Sequence, residues 1–178
     1  KELFYSPEND KYILYEECVP GYTIDELFKK GTQFSKKFVI KMATALCNIL
    51  KPIHNDNLIH RDISPNNVMY SQIEDKFYLI DFGNSRLNKI NTPKDTVFAG
   101  TPIFMAPEQG GVGTQSDNRT DIYAIGMLMK FMLTKNTTDK KSKIRGRLGK
   151  IIKKCTQSEM ASRYKNVDKL KFKLSMIK

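Results

Sequence analysis

The stretch Asp121–Leu133 is apolar nearly all round, and a helix of that kind cannot lie on a surface. It needs neighbours on every side, so the rest of the chain has to wrap it. One neighbour is legible upstream. From Ser35, the apolar positions Val39, Met42, Ala43, Leu46, Ile49, Leu50 and Ile53 recur at helical spacing and predict a long amphipathic helix. With 178 residues, 40% of them apolar, the chain can bury the core of one domain, or one and a fragment, and is not disordered throughout. The best apolar run, Tyr123–Met129, is closed by Lys130, well short of the roughly 18 residues a membrane span needs.

The remaining pattern is mixed. Leu3-Phe4-Tyr5 and Tyr12-Ile13-Leu14-Tyr15 flank a turn cluster at Pro7–Asp10 and predict two short strands. Pro20-Gly21 breaks the chain, and Thr23 with Glu26 three residues on forms a capping box for a short helix. Asn67–Tyr70 and Lys76–Ile80 are strand-like and too short for helices. The polar stretch 84–100 predicts a long surface loop. Leu148–Cys155 and Val167–Ile177 predict two more helices with Lys on their outer faces. The fold class is α+β and mainly helical.

Pro7, Glu8, Asn9 and Asp10 interrupt the only apolar start, so the amino end has no signal-peptide pattern. Cys18, Cys47 and Cys155 are odd in number and contain no CxxC, which argues against a disulfide framework or zinc site and for a reducing cytoplasm. The net charge of +11 is unevenly placed: residues 1–134 carry fifteen basic and sixteen acidic side chains, residues 135–178 fifteen basic and three acidic. A basic stripe is the electrostatic footprint of a nucleic-acid binder. Only six of the 30 basic residues are Arg, however, and Lys on helices is more often a solvated face, so nucleic acid is not the expected partner.

Three segments occur together and in order: HRDISPNN (His60–Asn67), DFG (Asp81–Gly83) and GTPIFMAPE (Gly100–Glu108). With them the chain resembles a eukaryotic-type Ser/Thr protein kinase domain, which implies a protein-kinase-like fold, ATP and Mg²⁺ as cofactors and a protein substrate. On that resemblance Asp62 accepts or orients the proton of the substrate hydroxyl, and Asn67 and Asp81 hold the metal. Asp81 follows an apolar strand, Tyr78-Leu79-Ile80, that gives its carboxylate a rigid support. Gly83 is expected to supply backbone freedom for the turn after it. His60 and Phe82 are expected to pack together. Asp121 resembles the helix-N-terminal aspartate that binds the catalytic-loop backbone, and Glu108 and Arg163 resemble a buried structural ion pair.

The start of the chain, YILYEECVPG, resembles the last upper-lobe strand and hinge. That puts Glu16 at the gatekeeper position and offers backbone groups of Glu17 and Val19 to adenine. Met69 is either the floor of the adenine site or a plain core methionine. Residues 1–20 are then an upper-lobe remnant with hinge, and 21–178 the lower lobe, with catalytic loop 60–67 and activation segment 81–108. In that segment Thr96, with Thr92 and Ser85 behind it, is a phosphosite candidate or an unmodified loop hydroxyl, and Arg61 beside Asp62 could receive the phosphate. Thr101 resembles the threonine that marks the Ser/Thr class.

The departures matter as much. No Gly-rich loop, strand lysine or helix glutamate occurs in the chain, and it begins at Lys1 rather than Met. The expectation is a truncated form with little activity of its own. Ser64 stands two residues after Asp62, where the resemblance leads one to expect Lys. Only about ten residues, Thr134–Lys143, separate the central helix from the next helical region, so the substrate-docking helix looks missing or reduced. The leading reading is ATP-dependent phosphoryl transfer to Ser/Thr hydroxyls of a protein. The alternatives are a pseudokinase or non-catalytic binding module, nucleic-acid binding through 135–178, and a small-molecule kinase on the same fold. For the basic carboxy-terminal region a solvated face is the default, and an acidic partner the alternative.

Overall fold

The computed structural model describes residues 2–8, 10–88, 100–110, 115–134 and 144–177. A hairpin opens it: β1 (Glu2–Ser6) pairs antiparallel with β2 (Lys11–Tyr15), with Leu3 opposite Leu14. After Pro20-Gly21 come the two-residue β3 (Tyr22–Thr23) and α1 (Ile24–Lys29). Thr23 caps α1 through the full capping box: its hydroxyl accepts from Glu26 N at 3.1 Å, and the Glu26 carboxylate accepts from Thr23 N at 2.7 Å. Ser35 caps α2 (Lys36–Asn55) with its side chain alone, accepting from Phe38 N.

Two short strands, β4 (Leu58–Ile59) and β7 (Arg86–Leu87), pair with each other and clamp together the two ends of the segment that runs between them. Inside that clamp β5 (Val68–Ser71) and β6 (Lys76–Leu79) form a hairpin, and β3 adds to its outer edge through β5. The predicted strands Asn67–Tyr70 and Lys76–Ile80 are thus present. Of the polar stretch 84–100, residues 86–87 are strand.

The lower half is helical. α3 (Asn118–Thr134) packs against α2, α4 (Gly146–Cys155), α5 (Val167–Ser175) and β4. Ile122, Ile125, Leu128 and Met129 are fully buried on it, which is the enclosure its sequence demands. The core continues through Val39, Met42, Leu46 and Leu50 of α2 and Leu170 and Leu174 of α5. α4 starts at Gly146, two residues before the predicted helix. Gly146 has a φ of 83°, a left-handed value that glycine adopts freely. Among the described residues no helix is long and apolar enough to cross a membrane.

Candidate active site

The loop His60–Asn67 leaves β4, crosses the core and returns as β5. Its anchor is Asp121, one turn into α3 and wholly buried. Asp121 Oδ2 accepts from His60 N at 3.0 Å and sits 2.8 Å from His54 Nε2, while Oδ1 accepts from Arg61 N at 2.9 Å. Three partners satisfy a carboxylate that has no water. The contact also holds Arg61 at a φ of 69°, which turns the next residue, Asp62, out of the core.

Asp62 is half-buried, and both its oxygens are engaged. Oδ1 accepts from Thr101 N at 2.8 Å and Thr101 Oγ1 at 2.9 Å, and Oδ2 accepts from Asn84 Nδ2 at 3.1 Å. Five residues on, Asn67 donates from Nδ2 to the Asp62 carbonyl at 2.9 Å, which closes the loop and leaves its Oδ1 available. The Asn67 carbonyl accepts from Ile80 N at 2.9 Å, so the residue before Asp81 is tied directly to Asn67. Asp81 is exposed, with a φ of 61°, and its Oδ1 accepts from Gly83 N at 3.0 Å. The left-handed residue of this turn is therefore Asp81, not Gly83. A Cβ at 83 would stand 3.0 Å from Asp81 Oδ1, so any larger residue there would press on that carboxylate. Asn67 and Asp81 present an amide oxygen and a carboxylate, the hard donors a magnesium ion takes together with phosphate oxygens and water.

His60 lies under this surface. Its ring packs edge-on to Phe82 at 4.7 Å, and Nε2 sits 3.2 Å from the Ile80 carbonyl. Loss of hydration pushes its pKa below the ordinary imidazole value, against the smaller upward pulls of Asp121, Ile80 O, Asp62 and Asp81. Ser64 is fully buried, and its hydroxyl has no hydrogen-bond partner among the described residues.

The segment Gly100–Gly110 covers the loop from the other side. Gly100 has a φ of 124°, and a Cβ on it would lie 2.9 Å from the Arg61 carbonyl. Gln109 donates to that same carbonyl at 2.8 Å and accepts from Ala106 N at 3.0 Å. Glu108 and Arg163 form a buried two-point pair at 2.6 and 2.7 Å, with Thr120 Oγ1 donating to Glu108 at 2.8 Å. No sequence pattern singled out Asn84, Gln109, His54 or Thr120. Each borders a motif, but a hydrogen-bonding side chain carries no spacing signal of its own.

Glu16, Glu17, Cys18, Val19 and Pro20 line one wall of a cleft of about 280 Å³, and Glu74, Tyr78, Leu79 and Ile80 the other. Neither Glu17 nor Val19 makes a hydrogen bond to another described residue, so their backbone groups remain open. Met69 does not line this cleft. It is half-buried on β5, opposite Tyr78 and on the same face of the hairpin. Ser85 is half-buried in the turn closed by its N–H to Phe82 O at 2.9 Å. Thr92 and Thr96 lie outside the described residues.

The protein kinase domain family matches residues 2–175. Among curated relatives, the serine/threonine-protein kinase C of Synechocystis sp. is 30% identical over 139 residues, covering 75% of this chain and 26% of that one. Serine/threonine-protein kinase B of the same organism is 27% identical over 197 residues, covering 98% of this chain and 34% of its own. Serine/threonine-protein kinase KIC1 of Saccharomyces cerevisiae is 33% identical over 133 residues, 74% of this chain and 12% of that one. The chain thus spans about a third or less of the length of these relatives. An α3 enclosed on all sides, a loop tied to it by Asp121, and a family match over nearly the whole length lead to one assignment: this chain belongs to the protein kinase family and has a protein-kinase-like fold, α+β with a mainly helical lobe.

Proposed function

We propose that the protein carrying this chain transfers the γ-phosphoryl group of ATP to Ser/Thr hydroxyls of a protein substrate. The observation that carries this reading is the Asp62–Asn67–Asp81 arrangement. One carboxylate is fixed by Thr101 and Asn84, and the Ile80–Asn67 backbone bond ties Asn67 to the residue before Asp81, which carries the second carboxylate. Asp62 takes up the hydroxyl proton, its Oδ1 held by Thr101 and its Oδ2 turned to the acceptor. Asn67 Oδ1 and Asp81 would hold Mg²⁺, which when bound would supply charge neutralisation at the phosphate oxygens. Glu17 and Val19 offer their backbone groups to the adenine. No Gly-rich loop or strand lysine is among the 178 residues, so the assays use the full reading frame in which this sequence occurs.

The cysteines fit a reducing cytoplasm, since Cys47 and Cys155 are buried as thiols and Cys18 is exposed as one. The acceptor is a protein rather than a small molecule, because the segment after Gly100 both covers the loop and donates to Asp62. A second reading, a non-catalytic binding module, is favoured by Ser64. That side chain is buried, and among the described residues no basic side chain bonds Asp62. The test is Mg·ATP titration and phosphotransfer by the full protein beside its Asp62→Asn variant. The expected result is nucleotide binding by both and transfer by the wild type alone, with a loss of about 10³-fold or more in the variant. Absence of nucleotide binding would favour the binding module, and equal transfer by both would remove Asp62 from the chemistry.

A further inference from the structure

Among the described residues, the one side chain that hydrogen-bonds Asp62 Oδ2 is Asn84, and it comes from the same turn as Asp81. We propose that Asn84 is a positioning residue for phosphoryl transfer, aiming the Asp62 carboxylate at the acceptor hydroxyl and locking it to the turn that carries Asp81. The inference rests on the kinase reading above, in which Asn84 figures only as a partner of Asp62, and gives that residue a role in the transfer.

The geometry carries it in three steps. First, Thr101 supplies both donors to Oδ1, from its N–H and its hydroxyl, and so fixes one end of the carboxylate. Rotation about Cβ–Cγ carries both oxygens together, so a donor on the second oxygen adds to the restraint that Thr101 applies through the first. Asn84 Nδ2 at 3.1 Å is that donor. Second, nothing else on the loop takes its place: Ser64 is turned into the core with its hydroxyl unpartnered. Among the described residues, only Thr101 and Asn84 bond the Asp62 carboxylate. Third, Asn84 is half-buried, and its second amide hydrogen and its carbonyl oxygen have no partner among the described residues. The amide is therefore not anchored as part of a structural network, and its one bond is to the proton-accepting group. A carboxylate oxygen has room for two donors, so Oδ2 can hold Asn84 and the acceptor hydroxyl together. A neutral amide orients the carboxylate without pairing its charge.

The test uses the full reading frame and a Ser- or Thr-containing peptide that the wild type phosphorylates, chosen from a peptide library. For Asn84→Ala, kcat is expected to fall about tenfold or more, while KM for ATP and the Kd of a fluorescent ATP analogue stay within about twofold. Asn84→Gln, which keeps the amide, is expected to recover most of the loss. Asn84→Asp, which sets a second carboxylate against Asp62, is expected to fall below Asn84→Ala. An unchanged kcat in Asn84→Ala overturns the proposal. So does a loss that Asn84→Gln does not restore and that tracks a lowered melting temperature, because that is packing alone. Asp62→Asn run alongside separates this from the parent reading. Activity in the wild type that Asp62→Asn abolishes keeps the kinase reading whatever Asn84 does, whereas inactivity of both overturns the two together.

Discussion

His60 sits where two requirements meet, because its ring has to be dry enough to pack on Phe82 and polar enough to face the Ile80 carbonyl. Dryness wins: desolvation outweighs the pull of Asp121, Ile80 O, Asp62 and Asp81, and the folded pKa lies below that of a free imidazole. Between those two values the unfolded chain binds a proton that the folded chain refuses, so stability rises with pH across that window. The contribution is complete above about pH 6.5 and drains away as pH falls through the folded value. Urea unfolding of the wild type is therefore expected to weaken on acidification below about pH 6.5. His60→Phe, which keeps a ring and loses the titration, is expected to flatten that part of the slope. Equal slopes would place the acid sensitivity elsewhere. The same residue marks the reach of sequence reading. His60, Asp62, Asn67 and Asp81 were legible because they stand in the HRDISPNN and DFG segments that carry the resemblance to protein kinases. Asn84 and Gln109 were not, because an amide becomes functional only through what the fold sets opposite it.

At the scale of elements, helices with a local signal were read correctly in type and close to their ends. Thr23 and Ser35 cap through their own side chains, and α2 runs on through Pro52 to Asn55. The two-residue strands β3, β4 and β7 have no such signal, since each exists only through a partner far along the chain. The α3–α4 contact is equally non-local and depends on one missing side chain. A Cβ on Gly126 would stand 2.5 Å from Cys155 Cβ and 2.9 Å from Thr156 Cγ2, at the end of α4. Cys155 is wholly buried there, its thiol pKa pushed upward mainly by desolvation, so neither atom has space to retreat. Gly126→Ala gains helix propensity but forces the two helices apart, and the overpacking is expected to win, at a net cost of about 1–3 kcal/mol. Chemical denaturation checks it. A stabilised Gly126→Ala would mean that α4 shifts freely on α3.

Over the whole molecule, the charge is sorted by depth as well as along the chain. From Lys150 onward every described lysine is exposed, whereas Arg61 and Arg163 are buried, the division expected of a strongly hydrated ammonium and a planar fork that binds several acceptors at once. The surplus of positive charge in the last helices is carried by exposed side chains, and the buried cation of that region is Arg163. It donates to both Glu108 oxygens and to the carbonyls of Arg119, Gln157 and Ser158, joining the covering segment, α3 and the turn before α5. Glu108 and Arg163 lie 55 residues apart, so this knot closes only when most of the lobe has assembled. Arg163→Met leaves Glu108 charged and buried without its guanidinium, and is expected to cost about 3–5 kcal/mol. Glu108→Leu strands the guanidinium and is expected to be similarly damaging. The double variant removes both charges and is expected to be less destabilised than the two single losses combined, by about 0.5–3 kcal/mol, despite the three carbonyls it leaves open. A double-mutant cycle by urea unfolding reads this coupling directly. Strict additivity would mean that Arg163 holds the lobe through its carbonyl bonds, with Glu108 a bystander.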